Sequence, residues 1–246
     1  YKRQSEESAF TKVVHADDLL MPECLERMVR LGLQHPSAAV IAAYRLDGRR
    51  VDLNVLPYPQ SFISGRDLCR LRMLGRCGEP FGSPSSIMYR SADVRARREF
   101  YPEDNIHADT EICFELLREG DYALEHQVLT YTRHHEAAQT TDARKDGSHG
   151  IARLLIANKY GGYFLTPAEK QQAIGMQADY HYIYLARRPW QFLTDRTFRK
   201  HHRNALASNG SPFSWLKFAL ATGKESLKRT QAAISALSRR RMQSAA

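Results

Sequence analysis

Residues Ala38 to Tyr44 read Ala-Ala-Val-Ile-Ala-Ala-Tyr, an unbroken apolar run of strand length with no polar alternation. A strand that is apolar on both faces must be covered on both, as parallel strands are in α/β proteins. Upstream, Leu25, Met28, Val29 and Leu33 recur at helical spacing. Pro22 suits the first helical position, and His35-Pro36 stops the helix. Phe10 to Val14 forms a short strand-like run before it. Strand, helix, strand predicts an α/β unit with parallel strands.

The pattern continues. Asp47-Gly48 marks a turn. Residues 61–80 read as a helix carrying Leu68, Leu71 and Leu74, and Phe81 to Ser86 as a turn-rich loop before a short strand at Ile87–Tyr89. Asp109 to Arg118 is a helix with Ile112, Cys113, Leu116 and Leu117 on one face and Gly120 just past its end. Tyr122 to Thr132 is strand-like again. A polar stretch from Gln139 to Gly150, expected to be mobile, separates this half from a helical one. There Thr166-Pro167-Ala168-Glu169 is a capping box with proline at the first helical position. Pro189 and Ser211-Pro212 punctuate two further helices, the last running from Pro212.

Charge divides the chain the same way. Residues 1–180 hold 23 Lys and Arg against 25 Asp and Glu, whereas residues 181–246 hold 13 against 2. The net +9 therefore belongs wholly to the last quarter, which points to an anionic partner there or to a solvated helical face. No run of 18 apolar residues occurs, so no spanning helix is expected. The four cysteines lack metal-ligand spacing; Cys24 and Cys113 fall on apolar helix stripes and read as core residues of a reduced, cytosolic protein.

Candidate chemistry lies in the first half. Asp17 and Asp18 fall at a predicted strand end, where open α/β sheets bind ligands, and a hard divalent cation takes one or two such carboxylates plus substrate phosphates. The same pair also reads as a helix cap, as does Asp109 at a helix start. His134 and His135 taken alone read more often as surface residues than as ligands. It is their order along the chain that is informative.

Lys12-Val13-Val14-His15-Ala16-Asp17-Asp18-Leu19-Leu20-Met21-Pro22, Gly82-Ser83-Pro84-Ser85-Ser86, His107-Ala108-Asp109-Thr110-Glu111 and Arg133-His134-His135 together resemble the family 2 glycosyltransferases. The likeness covers about residues 8–140. It implies the C-terminal half of an A-type glycosyltransferase domain, Rossmann-like with a mixed sheet, over 1–145, and a basic α-helical extension over 146–246. It implies an inverting transfer of sugar from a nucleotide-sugar donor to a hydroxyl of a glycan or lipid-linked acceptor. Asp17, with His15 where the first acid of the DXD pattern often stands, would hold Mg²⁺ or Mn²⁺. Asp18, Arg133 and His135 would contact the donor diphosphate. Gly82, Ser83, Pro84 and Ser85 would form the acceptor-side loop, and Asp109 would be the general base. Such enzymes begin with nucleoside-binding strand–helix–strand units of ~30 residues each, so roughly 80–100 residues are expected before Tyr1. The 246 residues alone are expected to lack transferase activity.

Two other classes compete. A metal-dependent hydrolase would use Asp17, Asp18, Asp109, His134 and His135, without any HExxH-like spacing in support. A nucleic-acid-binding module would use the basic tail but leave residues 1–150 without a role, so no nucleic-acid partner is favoured. The tail from 212 to 241 pairs Trp215, Leu216, Phe218 and Leu220 with Lys217, Lys224, Lys228 and Arg229. It fits an anionic membrane surface at the inner face of the plasma membrane, or packing against the catalytic domain.

Overall fold

The computed structural model describes residues 7–103, 105–133 and 147–244. The apolar run forms the central strand β3, Ala38–Asp47, whose first six residues are fully covered. Its neighbour β7, Asp121–Thr132, runs parallel to it, from Ala38 opposite Asp121 to Asp47 opposite Thr132. On the other side lies β6, Ile87–Arg90, antiparallel. β1, Phe10–Thr11, pairs with β6, and β2, Leu19–Leu20, pairs with β7, both antiparallel. β4, Arg50–Asp52, closes a hairpin with β3, and β5, Phe62–Ile63, lies against β7. The sheet is thus mixed, in the order β1-β6-β3-β7-β2.

The strand–helix–strand unit exists, but its strands are not neighbours. β1 and β3 both run antiparallel to β6, so they share a direction with β6 between them. Nothing in the local sequence announces that a strand from residue 87 will insert there. The first strand also stops at Thr11 instead of Val14.

Helix α1, Cys24–Gln34, covers one face. Its buried stripe is Cys24, Met28 and Leu31, packed on Ile41, Ala43, Met88 and Leu129. Leu25 and Leu33, expected inside, are exposed. The stripe is rotated because Gly32 lies under Phe10, where a Cβ would come within 2.7 Å of the ring. Pro22 precedes the helix, whose N-cap is Glu23.

The other face carries α2, Gly65–Met73, capped by Ser64, and α4, Ala108–Leu116. Tyr122 donates its hydroxyl to Pro80 O at 2.7 Å, and Phe81 meets Phe114 of α4 edge to face at 5.3 Å. The helix foreseen over 61–80 is shorter because β5 takes residues 62–63 and Gly75, at φ +67°, follows its end. A short α3, Ser91–Arg95, follows β6. Cys24 and Cys113 are core residues, as expected.

By contacts the chain forms two compact units. One comprises Tyr1–Lys145 with Lys159–Lys170, the other Asp146–Asn158 with Gln171–Ala246. Of the polar stretch, Gly147–Gly150 turn into α5, Ser148–Phe164, and 139–146 lie outside the described residues. The capping box forms as read: Thr166 N–H donates to Glu169 Oε2 and Glu169 N–H to Thr166 Oγ1 at the head of α6, Pro167–Ala186. After Pro189 come two helices where one was expected, α7, Pro189–Thr194, and α8, Arg196–Ser208, because Asp195 accepts the Phe198 N–H and caps a new start. α9 runs over Trp215–Ser244, beginning three residues later than Pro212. Among the described residues no helix is long and apolar enough to cross a membrane.

Candidate active site at the ends of β3 and β7

The parallel pair β3–β7 ends at Asp47 and Thr132. Beside it, β2 pairs Leu20 with Thr130 and Leu19 with Tyr131. Continuing that register by one residue sets Asp18 level with Thr132, and Asp17 lies in the turn just before it. The acidic pair therefore does not end β1. It closes a turn, with Asp18 N–H donating to His15 O at 3.1 Å, and leads directly into β2. Neither aspartate caps a helix, since α1 starts only at Cys24.

A second segment meets this turn. His15 N–H donates to Ser85 Oγ at 3.0 Å, joining the His15–Asp18 turn to the Gly82–Ser86 loop. Gly82 holds φ +67°, and a Cβ there would press on Leu53 at 3.1 Å. Leu53 is itself buried at φ +69°, a left-handed conformation costly for a leucine. Pro84 and Ser85 are buried, so within the proposed acceptor-side set only Gly82 and Ser83 are partly open. Ser85 accepts the His15 N–H and so ties the turn to this loop. Phe81, at the start of the loop, packs on α4, so one loop is anchored to both the acidic turn and the helix of Asp109.

Asp18 is buried, and its Oδ2 has no hydrogen-bond partner; His15 Nδ1 is 3.9 Å away. Thr132 Oγ1 and Arg45 Nε are also buried without partners. A buried unpaired polar atom costs on the order of 1–3 kcal/mol, and these three lie toward one end of the sheet, Arg45 opposite Thr130 and Thr132 opposite Asp47. Arg45, bonded to Asp52 at 2.8 Å and 3.8 Å from Asp47, was invisible to motif reading, because Asp47 registered only as half of a turn. Its one sequence signal is position: the first charge after the apolar run.

The donor set suits a hard cation. Asp17 and Asp18 offer carboxylate oxygens and His15 an imidazole. No group of three His, Cys, Asp or Glu side chains that could hold a metal ion gathers among the described residues. Arg133 follows β7 and is exposed; His135 lies outside the described residues.

Asp109 sits in the first turn of α4, after the N-cap residue His107, so it is not the cap. Its carboxylate accepts the Thr110 N–H at 2.7 Å. Burial raises its pKa above the ordinary 3.8, and the Thr110 bond and the nearby His107 pull it down less. A carboxylate whose pKa is raised by burial is a stronger base than an exposed aspartate.

Lys12 lies three residues before the acidic turn, with its amine buried. Its Nζ donates to Ile87 O at 3.2 Å beside Met28 Sδ, and burial lowers its pKa to about 8. A folded pKa below the unfolded value of 10.5 means that the charged form opposes folding. That penalty is complete below pH 8 and is relieved as pH rises from about 8 to 10.5. Melting curves should therefore rise across this window relative to Lys12→Met, which is expected to lack that component. Parallel pH profiles for the two proteins would show Lys12 to be uncharged or exposed.

No family model matches the chain, and no curated protein matches it in sequence. Solved structures do match, 28 chains in all. One is the crystal structure of S. aureus TarS 1–349, a staphylococcal glycosyltransferase, with TM-score 0.52 and 14% identity over 82% of this chain. The fold is of the glycosyltransferase type. The chain spans 56% of the length of the TarS chain. The matched share of this chain exceeds the segment 8–140 that carries the sequence likeness, so part of the helical remainder superposes as well.

Proposed function

We propose that this protein is an inverting glycosyltransferase that moves a sugar from a nucleotide-sugar donor to a hydroxyl of a glycan or lipid-linked acceptor. The observation that carries this reading is Asp18. On a glycosyltransferase fold, its buried carboxylate oxygen lies unpaired beside Asp17 in a turn bonded to the Gly82–Ser86 loop. Unpaired carboxylate oxygen at the end of parallel strands supports a cation and phosphate site.

Asp17, assisted by Asp18 or His15, would hold Mg²⁺ or Mn²⁺, which when bound supplies Lewis-acid stabilisation of the departing diphosphate. Arg133 adds a charged hydrogen bond to the same phosphates, with His135 as a second contact. Gly82 and Ser83 border the acceptor, and Ser85 fixes the turn that presents the aspartates. Asp109 takes the proton of the acceptor hydroxyl as that oxygen attacks the anomeric carbon from the face opposite the leaving group. A cytoplasmic setting suits the four free thiols.

The test is nucleoside diphosphate release by the full-length protein across a panel of nucleotide sugars, with Mg²⁺ or Mn²⁺ and with chelator. Metal-dependent turnover of one donor supports the reading. A folded protein that turns over none of them contradicts it.

A further inference from the structure

The last helix presents two different faces. At about 100° per residue, Leu216, Leu220 and Leu227 fall within about 40° of one another, and Phe218 and Glu225 lie roughly opposite. Exposure follows that division: 69%, 56% and 65% for the three leucines, against 5% and 7% for Phe218 and Glu225. The inner face is already satisfied. Phe218 packs on Phe192 at 4.7 Å, and Arg187 bonds Glu225 at 3.0 Å. The packing that amphipathic helices normally use is therefore achieved by residues other than the leucines, which form an apolar stripe facing solvent. In sequence the same spacing continues through Ile234 and Leu237.

The flanks of the stripe indicate what covers it. Lys217, Lys224 and Lys228 lie roughly 80–120° from Leu216, all on one side. Lys217 reaches Asp179 in an exposed pair of little strength, and Lys228 reaches the buried Glu225 from a side chain that is itself exposed. Residues 181–246 carry 13 basic side chains against 2 acidic ones. A second copy of this chain fits poorly. In an antiparallel helix pair Lys217 and Lys224 would face the same lysines, and in a parallel pair they would face Ala219 and Ser226, with no acid to answer them. Nucleic acid fits poorly too, because bases stack on aromatic rings and the stripe is leucine. A surface that is apolar below and anionic above satisfies both features.

We propose that the outer face of α9 docks on an anionic lipid bilayer, with Leu216, Leu220 and Leu227 entering the headgroup–acyl boundary and the lysine flank meeting lipid phosphates. The inference rests on α9 itself and stands whether or not the chain transfers sugar. The experiment is flotation of the full-length protein with vesicles of phosphatidylcholine alone or with about a third phosphatidylglycerol, at low and high salt. The wild type is compared with the triple variant Leu216→Gln, Leu220→Gln, Leu227→Gln. The wild type should float with the anionic vesicles, more at low salt, and the variant at least tenfold less, with an unchanged melting temperature because the three side chains are exposed. Equal flotation of both proteins, or equal recovery with neutral and anionic vesicles, would overturn the proposal. So would light scattering that showed a dimer lost in the variant, since a second copy would then own the stripe.

Discussion

Asp109→Asn is expected to lower turnover by at least the ~10²–10⁴-fold that a general base contributes, with donor affinity nearly unchanged. The base acts on the acceptor hydroxyl, so donor contacts should not register its loss. Stability separates this from a structural role. A helix cap would cost ~1 kcal/mol on removal, but the N-cap here is His107, and Asp109 merely accepts the Thr110 N–H, which an asparagine oxygen also accepts. Burial disfavours the ionised carboxyl, so the neutral amide should fold at least as well. The raised pKa also predicts a pH profile. The acidic limb of kcat/KM should lie above the ordinary carboxylate value of 3.8, with activity falling as pH drops and Asp109 takes up its proton. That limb should vanish from the residual rate of the variant. Full turnover with a lower melting temperature would remove Asp109 from the mechanism.

How much of this was legible beforehand depends on the range of the forces involved. The covered strand at Ala38, the core thiols Cys24 and Cys113 and the capping box at Thr166 follow from local pattern, and the structure contains each. The insertion of β6 between β1 and β3 follows from long-range pairing, which leaves no local trace. The rotated stripe of α1 turns on Gly32 meeting Phe10, a contact between residues 22 apart. For the site, the order of the Asp17-Asp18, Gly82–Ser86 and Asp109 segments was readable from resemblance. The bond from His15 to Ser85, the strained Leu53 and the unpaired Asp18, Thr132 and Arg45 atoms were not, because each depends on three-dimensional neighbours.

The second large effect concerns the acidic turn. Asp18→Asn and Asp17→Asn should each weaken metal-dependent binding of nucleoside diphosphate by more than the ~10–100-fold typical of losing even a supporting partner of a ligand. Binding without metal should change little. For Asp18 the stability should stay level or rise, since its Oδ2 is buried without a hydrogen-bond partner and His15 Nδ1 stands 3.9 Å away. Calorimetry with and without Mn²⁺, beside a melting curve, reads both quantities. Metal-linked affinity equal to the wild type would place the cation elsewhere, and a marked fall in melting temperature for Asp18→Asn would make that residue structural.

The account as a whole requires a single displacement at the anomeric carbon with Asp109 as base. Proton NMR of the transfer reaction, followed from the first product formed by the full-length protein, observes that carbon directly through its anomeric coupling. The predicted result is a product with the anomeric configuration opposite to that of the donor. A product that keeps the configuration of the donor would contradict the account.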